Sequence, residues 1–174
     1  MKIAVLQMTS GIDPDVNAGI LERAITDAAL QGAAMIFTPE MSGLLDSDGQ
    51  RAARHIAEER HDPVLARVCA AAAKAGIWVH LGSLAVRGDG DDGRWANRGF
   101  VIDDHGRIAA RYDKMHLFDV DLPTGESWRE SARYAPGQGP SVVATPLGKM
   151  GMSICYDLRF PALYQALSAA GAAT

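Results

Sequence analysis

At 174 residues, with 48% hydrophobic and 22% charged side chains, the chain has the composition of a globular domain with its own core, which excludes disordered and collagen-like classes. A formal net charge of −4, with no block of Lys or Arg, leaves no electrostatic footprint for nucleic acid or for an anionic membrane surface. The expected partner is a small molecule.

The opening run Met1-Lys2-Ile3-Ala4-Val5-Leu6-Gln7 is too short for a signal-peptide core, and no later stretch has the length of a bilayer span, so a cytoplasmic address is expected. Residues 2–8 instead read as a buried strand, and residues 33–38 as a second one ending at Pro39-Glu40. Between them Asp13-Pro14 supplies a helix cap and first-turn proline. Val16, Ile20, Ala24 and Ala28, with Leu21 and Ile25, then recur at helical spacing until Gly32. That is a strand–helix–strand unit.

Asp62 caps a second expected helix over 63–74, with Val64, Leu65, Val68 and Cys69 on one face and Gly76 as its stop. Cys69 is therefore expected in the core. A strand over 77–84 follows, then an Asp- and Gly-rich loop at 88–93, strands over 95–102 and 107–112, and a turn at 103–106 between them. Residues 114–139 lack periodicity and read as a long loop with at most one helical turn. A hairpin of 141–145 and 149–155 about the turn Pro146-Leu147-Gly148 comes next, and Pro161 opens a helix to about residue 170. The alternation predicts a single layered α/β domain over 1–174 with a sheet that mixes parallel and antiparallel pairs. After the last helix such a fold normally returns into a further strand, so the chain is expected to be incomplete at its C-terminus.

Three side chains stand where chemistry is possible. Cys155 is expected at the end of a strand just before a helix, where helix N-terminal amides favour a thiolate and a developing oxyanion; a small core residue is the alternative. Cys69 and Cys155 allow at most one disulfide and read as free thiols in a reducing compartment. Glu40 ends an apolar strand, which suits a proton shuttle, or else lies on a surface loop. Lys114 follows a strand and serves either as a fixed cation for an oxyanion or as a solvated strand end.

Metal and phosphate sites find little support. Counting from Asp89, the loop with Asp91 and Asp92 puts Arg94 where an EF-hand needs glycine and Phe100 where it needs glutamate. The histidines at 55, 61, 80, 105 and 116 show neither an i, i+4 pair nor zinc-finger spacing to a cysteine. Gly137-Gln138-Gly139 reads as a turn.

The stretches Phe37-Thr38-Pro39-Glu40, Tyr112-Asp113-Lys114-Met115-His116-Leu117-Phe118-Asp119 and Ile154-Cys155-Tyr156-Asp157-Leu158-Arg159-Phe160-Pro161 resemble, in order, the three signature regions of the nitrilase superfamily of carbon–nitrogen hydrolases. The resemblance implies an α-β-β-α sandwich, an amidase activity with Cys155 as nucleophile, Glu40 as general base and acid, and Lys114 as oxyanion-stabilising cation. It also implies a second glutamate in the loop after the lysine, which falls on Glu130, with Glu126 as competitor. No metal or organic cofactor is implied.

The loop 116–123 and the segment 155–160 look most like the branch of omega-amidases and deaminated-glutathione amidases, which act on terminal amides of short dicarboxylic compounds. In that branch Arg159 is a candidate clamp for the substrate carboxylate, although an ion pair with Asp157 or another acid is the alternative. Tyr156, beside the nucleophile, is the other substrate-binding candidate. Nitrilases and N-carbamyl amino acid hydrolases use the same three residues. The resemblance further implies a homodimer, for which 158–170 is a candidate contact, on a chain longer than this one. An inactive remnant, or an interaction subunit that needs a partner, is the reading from a different class.

Overall fold

The structure, a computed structural model, describes residues 1–88, 90 and 92–174. Asp89 and Asp91, on which the calcium-loop comparison rests, lie outside the described residues. Strand β1 (Ile3–Val5) leads through helix α1 (Pro14–Leu30) to β2 (Met35–Phe37), which pairs parallel with β1. The expected strand–helix–strand unit is present, with both strands shorter than their apolar runs. The Asp13 side chain accepts from the Asp15 and Val16 amides and so answers two of the unpaired N–H groups of the first turn.

A short helix α2 (Gly49–Ala52) and a 3₁₀ turn at Glu59–His61 precede helix α3 (Pro63–Ala75). Asp62 caps α3 by accepting from the Leu65 amide, and Gly76 closes it in the left-handed region at φ 63°. Strand β3 (Trp78–Arg87) pairs parallel with β2 and antiparallel with β4 (Trp95–Ile102), which pairs antiparallel with β5 (Ile108–Asp113). The sheet order is β1-β2-β3-β4-β5, mixed as the sequence predicts. β3 runs three residues past its expected end because β4 pairs with it as far as Arg87, across an irregularity between Leu81 and Leu84.

The stretch 114–139 is not a plain loop. It holds a small hairpin of β6 (Asp119–Asp121) and β7 (Ser127–Arg129), followed by a 3₁₀ turn at Glu130–Ala132. Strands β8 (Val142–Thr145) and β9 (Gly148–Gly151) form the expected hairpin, but β9 stops four residues before Cys155. Helix α4 (Pro161–Ala169) follows, and the chain then turns at Gly171. The Ala173 amide donates to Lys149 O, and the Gly151 amide to Thr174 O, so the last residues lie along β9.

Alternation along the strands divides the five-stranded sheet between two cores. On one face Ile36, Val79, Leu81 and Phe100 pack beneath Leu21 and Ile25 of α1 and Val68 and Ala72 of α3. On the other, Met35, Val101 and Tyr112 meet Met150, Met152 and Ile154 of the β9 segment and Leu163 and Leu167 of α4. The layers therefore run helix, sheet, hairpin, helix. Cys69 is half-buried at the margin of the first core, where burial pushes its thiol pKa up.

His80 lies on the second face, its ring tilted against Phe37 at 5.4 Å, and burial holds its imidazole pKa down to about 4. An unfolded histidine titrates near 6.5. Between those values the unfolded chain binds the proton more readily, so this residue's effect is to lower stability as pH falls from about 6.5 toward 4, by up to about 3 kcal/mol. In urea titrations at pH 7 and pH 4.5, His80→Leu is expected to lose less stability on acidification than the wild-type chain. Equal losses would show that His80 does not carry this part of the pH dependence.

Candidate active site

The carboxyl ends of β2, β3 and β5 and the amino end of β4 meet at one edge of the sheet. Glu40 arrives there on a tight turn after β2. The Thr38 amide donates to His80 O, the Ser42 amide to Ser83 O, and the Met41 amide to the Ser83 hydroxyl. Met41 itself stands in the left-handed region at φ 54°, an uncommon conformation for a residue with a side chain. The turn is thus sewn onto β3 at several points rather than left as a free loop.

Gly82 makes this close approach possible. A Cβ there would lie 2.3 Å from Thr38 O and 2.4 Å from Pro39 O, and its amide donates to the Thr38 hydroxyl. Across the sheet, Gly99 leaves equal room for the Gly82 carbonyl. The irregularity in β3 at this point accommodates a backbone that presses Glu40 over the sheet edge.

Lys114 follows β5 and is 3% exposed, an isolated position too costly for a charge without partners. Its Nζ donates to Glu40 Oε1 at 3.0 Å and to Glu130 Oε2 and Oε1 at 2.9 and 3.2 Å. Burial alone would lower its pKa, but the charge of Glu40 and the hydrogen bond and charge of Glu130 outweigh that and raise it. Lys114 is therefore an ammonium throughout the neutral range.

Glu130 opens the 3₁₀ turn at the base of the β6–β7 hairpin, and the Phe118 amide donates to its Oε2. Glu126 lies on the exposed side of the same hairpin, near its turn, where its carbonyl accepts from Leu122. Asn97 of β4 is a member of the cluster that sequence reasoning missed. Its Nδ2 donates to Glu40 Oε1 at 2.7 Å and to Glu130 Oε1 at 3.2 Å. The available signal was a pair of polar residues, Asn97-Arg98, in the middle of an otherwise apolar strand.

Cys155 does not end a strand. It opens a 3₁₀ turn, Cys155–Arg159, with φ 48°, and its side chain is exposed and near enough to Glu40, Lys114 and Glu130 for their charges to act on the thiol. Burial pushes its thiol up, the Glu40 charge pushes it further, and Lys114 opposes both. The resting group is a protonated thiol beside a carboxylate.

Asp157, fully buried two residues later, fixes this turn. Its Oδ2 accepts from the Ile154 amide at 2.9 Å and the Tyr112 hydroxyl at 2.7 Å, and its Oδ1 from the His116 amide at 3.0 Å. His116 Nδ1 lies 2.7 Å from Oδ1 as well, and its ring stacks on Phe160 with centroids 3.8 Å apart. One carboxylate thus joins the end of β5, the segment after Lys114 and the turn that presents Cys155. The Arg159–Asp157 ion pair allowed by the sequence does not form; among the described residues Arg159 is exposed with no ion-pair partner. Tyr156 is half-buried between Phe118 and Phe160, edge-on to both at 5.0 and 5.3 Å. Among the described residues no three His, Cys, Asp or Glu side chains gather as metal ligands.

The model of the carbon-nitrogen hydrolase family matches residues 2–174. The chain belongs to that family. Among curated carbon-nitrogen hydrolases, the deaminated glutathione amidase of Yersinia enterocolitica is 37% identical over 172 residues, which span 98% of this chain and 59% of that protein. The human deaminated glutathione amidase is 34% identical over 98% of this chain and 53% of its own length. The chain thus spans between half and three fifths of these curated relatives. Of solved structures, the C. elegans NitFhit protein superposes with a TM-score of 0.82 at 32% identity, covering 92% of this chain and 39% of that one. An amidase mutant from Nesterenkonia sp. AN1, in which acrylamide has undergone Michael addition at the active site cysteine, gives 0.80 at 27% identity over 99% and 64%. The layered α/β fold of this chain is that of these carbon-nitrogen hydrolases.

Gly82→Ala is expected to force the Thr38–Glu40 turn away from β3 and destabilise the domain by about 1–3 kcal/mol, the range for overpacking a closed contact. A urea midpoint indistinguishable from wild type would show that the turn yields without cost.

Proposed function

We propose that this chain carries the catalytic residues of an amidase that hydrolyses the terminal amide of a short dicarboxylic monoamide through a Cys155 thioester. The observation that carries the reading is the Lys114–Glu40 ion pair at 3.0 Å with the Cys155 thiol within electrostatic reach of both charges. A carboxylate base paired with a fixed cation beside a thiol is the arrangement acyl transfer needs.

Glu40 takes the thiol proton as Cys155 Sγ bonds to the amide carbon, and the carbonyl electron pair moves onto oxygen. Lys114 has a third N–H beyond those directed at Glu40 and Glu130, and the Tyr156 amide lies in the first turn after the nucleophile, where helix N–H groups lack intrahelical partners. Both serve the oxyanion. When it collapses, the carbon–nitrogen bond breaks and Glu40 passes its proton to the departing ammonia. Glu40 then deprotonates a water whose oxygen bonds to the thioester carbon; the carbon–sulfur bond breaks, Glu40 returns the proton to sulfur, and the acid leaves. Glu130 holds Lys114 in place, and neither a metal nor an organic cofactor enters a step.

The substrate class rests on the deaminated glutathione amidases among the relatives and on Arg159, an exposed guanidinium four residues from the nucleophile with the planar fork that binds carboxylates in pairs. Tyr156 with Phe118 and Phe160 supplies the apolar wall beside the thiol.

With a short omega-amide as substrate, Cys155→Ala is expected to abolish ammonia release and Cys69→Ala to leave it near the wild-type level. Glu40→Gln should lower turnover by about 10²–10⁴, the usual contribution of general acid–base catalysis. Wild-type turnover in Cys155→Ala would remove that residue from the mechanism. Because burial and Glu40 hold the thiol up, iodoacetamide labelling of Cys155 should still be accelerating as pH is raised through 9; a plateau near neutrality would contradict a protonated resting thiol.

A further inference from the structure

We infer that Asn97 is a positioning residue of the amidase site: its side-chain amide holds the Glu40 and Glu130 carboxylates apart and aims Glu40 at the Cys155 thiol. The inference rests on the amidase reading above and deepens it.

Two carboxylates that share one ammonium carry a net negative charge, and repulsion between them would swing the less anchored of the two toward solvent. Glu130 is anchored by the Phe118 amide as well as by Lys114. Among the described residues the side chains that donate to Glu40 are Lys114 and Asn97, and both reach Oε1. Occupying one oxygen with two donors fixes the rotation of the carboxylate and leaves Oε2 to the reacting groups.

Asn97 is built for that task. It is 1% exposed and its backbone is set by pairing with Ala85 of β3 and by the Lys114 amide, which donates to its carbonyl at 2.9 Å. Both hydrogens of its amide are directed at the two glutamates. The opposite rotation would set an amide oxygen against two carboxylates, so the orientation is dictated by chemistry. Its consequence is that Oδ1 is buried without a partner among the described residues. The arrangement makes sense where the two donated bonds serve the reacting carboxylate.

The test compares Asn97→Ala with the isosteric Asn97→Asp. The first removes both donors and the second replaces them with a third negative charge while keeping the shape. Two readouts are taken at pH 7.5: kcat and KM for a short omega-amide, and the second-order rate of Cys155 labelling by iodoacetamide, with Cys69 labelling as an internal monitor of packing. The expected order in kcat is wild type above Ala above Asp, and Cys155 labelling is expected to be faster in the Ala variant than in wild type, because the Glu40 charge that holds the thiol up is then less firmly held beside it. The loss in kcat should be about tenfold for Ala and about a hundredfold for Asp with KM little changed, within the range that a misplaced general base costs. If wild type releases no ammonia, the amidase reading fails, while the labelling order still tests the placement of Glu40. An Ala variant whose kcat and Cys155 labelling rate both match wild type overturns the inference, because Glu40 is then held in place without the donated hydrogen bonds of Asn97. Cys69 labelling that accelerates in parallel with Cys155 labelling in the Ala variant overturns it too, by assigning Asn97 to packing alone.

Discussion

The organisation of this domain depends on one buried ammonium. Lys114 is almost completely removed from water, which is tolerable because two carboxylates reach it from different parts of the chain. Glu40 comes from the turn after β2, and Glu130 from the hairpin that follows β5. Neither partner can be withdrawn without leaving a charge stranded in low dielectric, so the contact ties segments 74 and 16 residues away in sequence to a single point. The sheet supplies the rigid frame and the ion cluster decides what stands at its edge.

A second carboxylate does for Cys155 what the cluster does for Glu40. Asp157 gathers donors from Tyr112, His116 and Ile154, and it holds the turn that places Cys155 in a left-handed backbone conformation. The two networks meet through β5, since Tyr112 belongs to one and Lys114 to the other. Glu40 and Cys155 are therefore registered against the same strand and the residue that follows it, which keeps their separation insensitive to motion of the outer layers.

Local signals made part of this readable before any coordinates. Asp-Pro at the start of α1 and α3 and Gly76 at the end of α3 act within a turn of helix, so α3 was placed within a residue of its position and the start of α1 at Pro14. Glu40, Lys114, Cys155 and Glu130 were legible through family resemblance, not through periodicity. What stayed hidden depends on partners distant in the chain. The β6–β7 hairpin is only three residues a side, and its base is held by Asp119 and Glu130 contacts that no pattern announces. The retreat of β9 from Cys155 follows from Asp157 drawing the Ile154 amide into a turn. Asn97 was concealed because a polar residue in a strand ordinarily faces water, and here the facing groups are two carboxylates.

The charge balance of the cluster also bears on the direction of the proposed reaction. Two glutamates against one lysine leave an excess negative charge around the reacting carbon. The amide end of the substrate enters this field as a neutral dipole, whereas the acid formed there by hydrolysis loses a proton and adds a second negative charge to the molecule, of the same sign as its surroundings. Its expulsion is then electrostatically favoured, and re-entry of the acid is opposed by the arrangement that keeps Lys114 charged. The site would act as a one-way valve, admitting the nitrogen-bearing form and ejecting what it becomes.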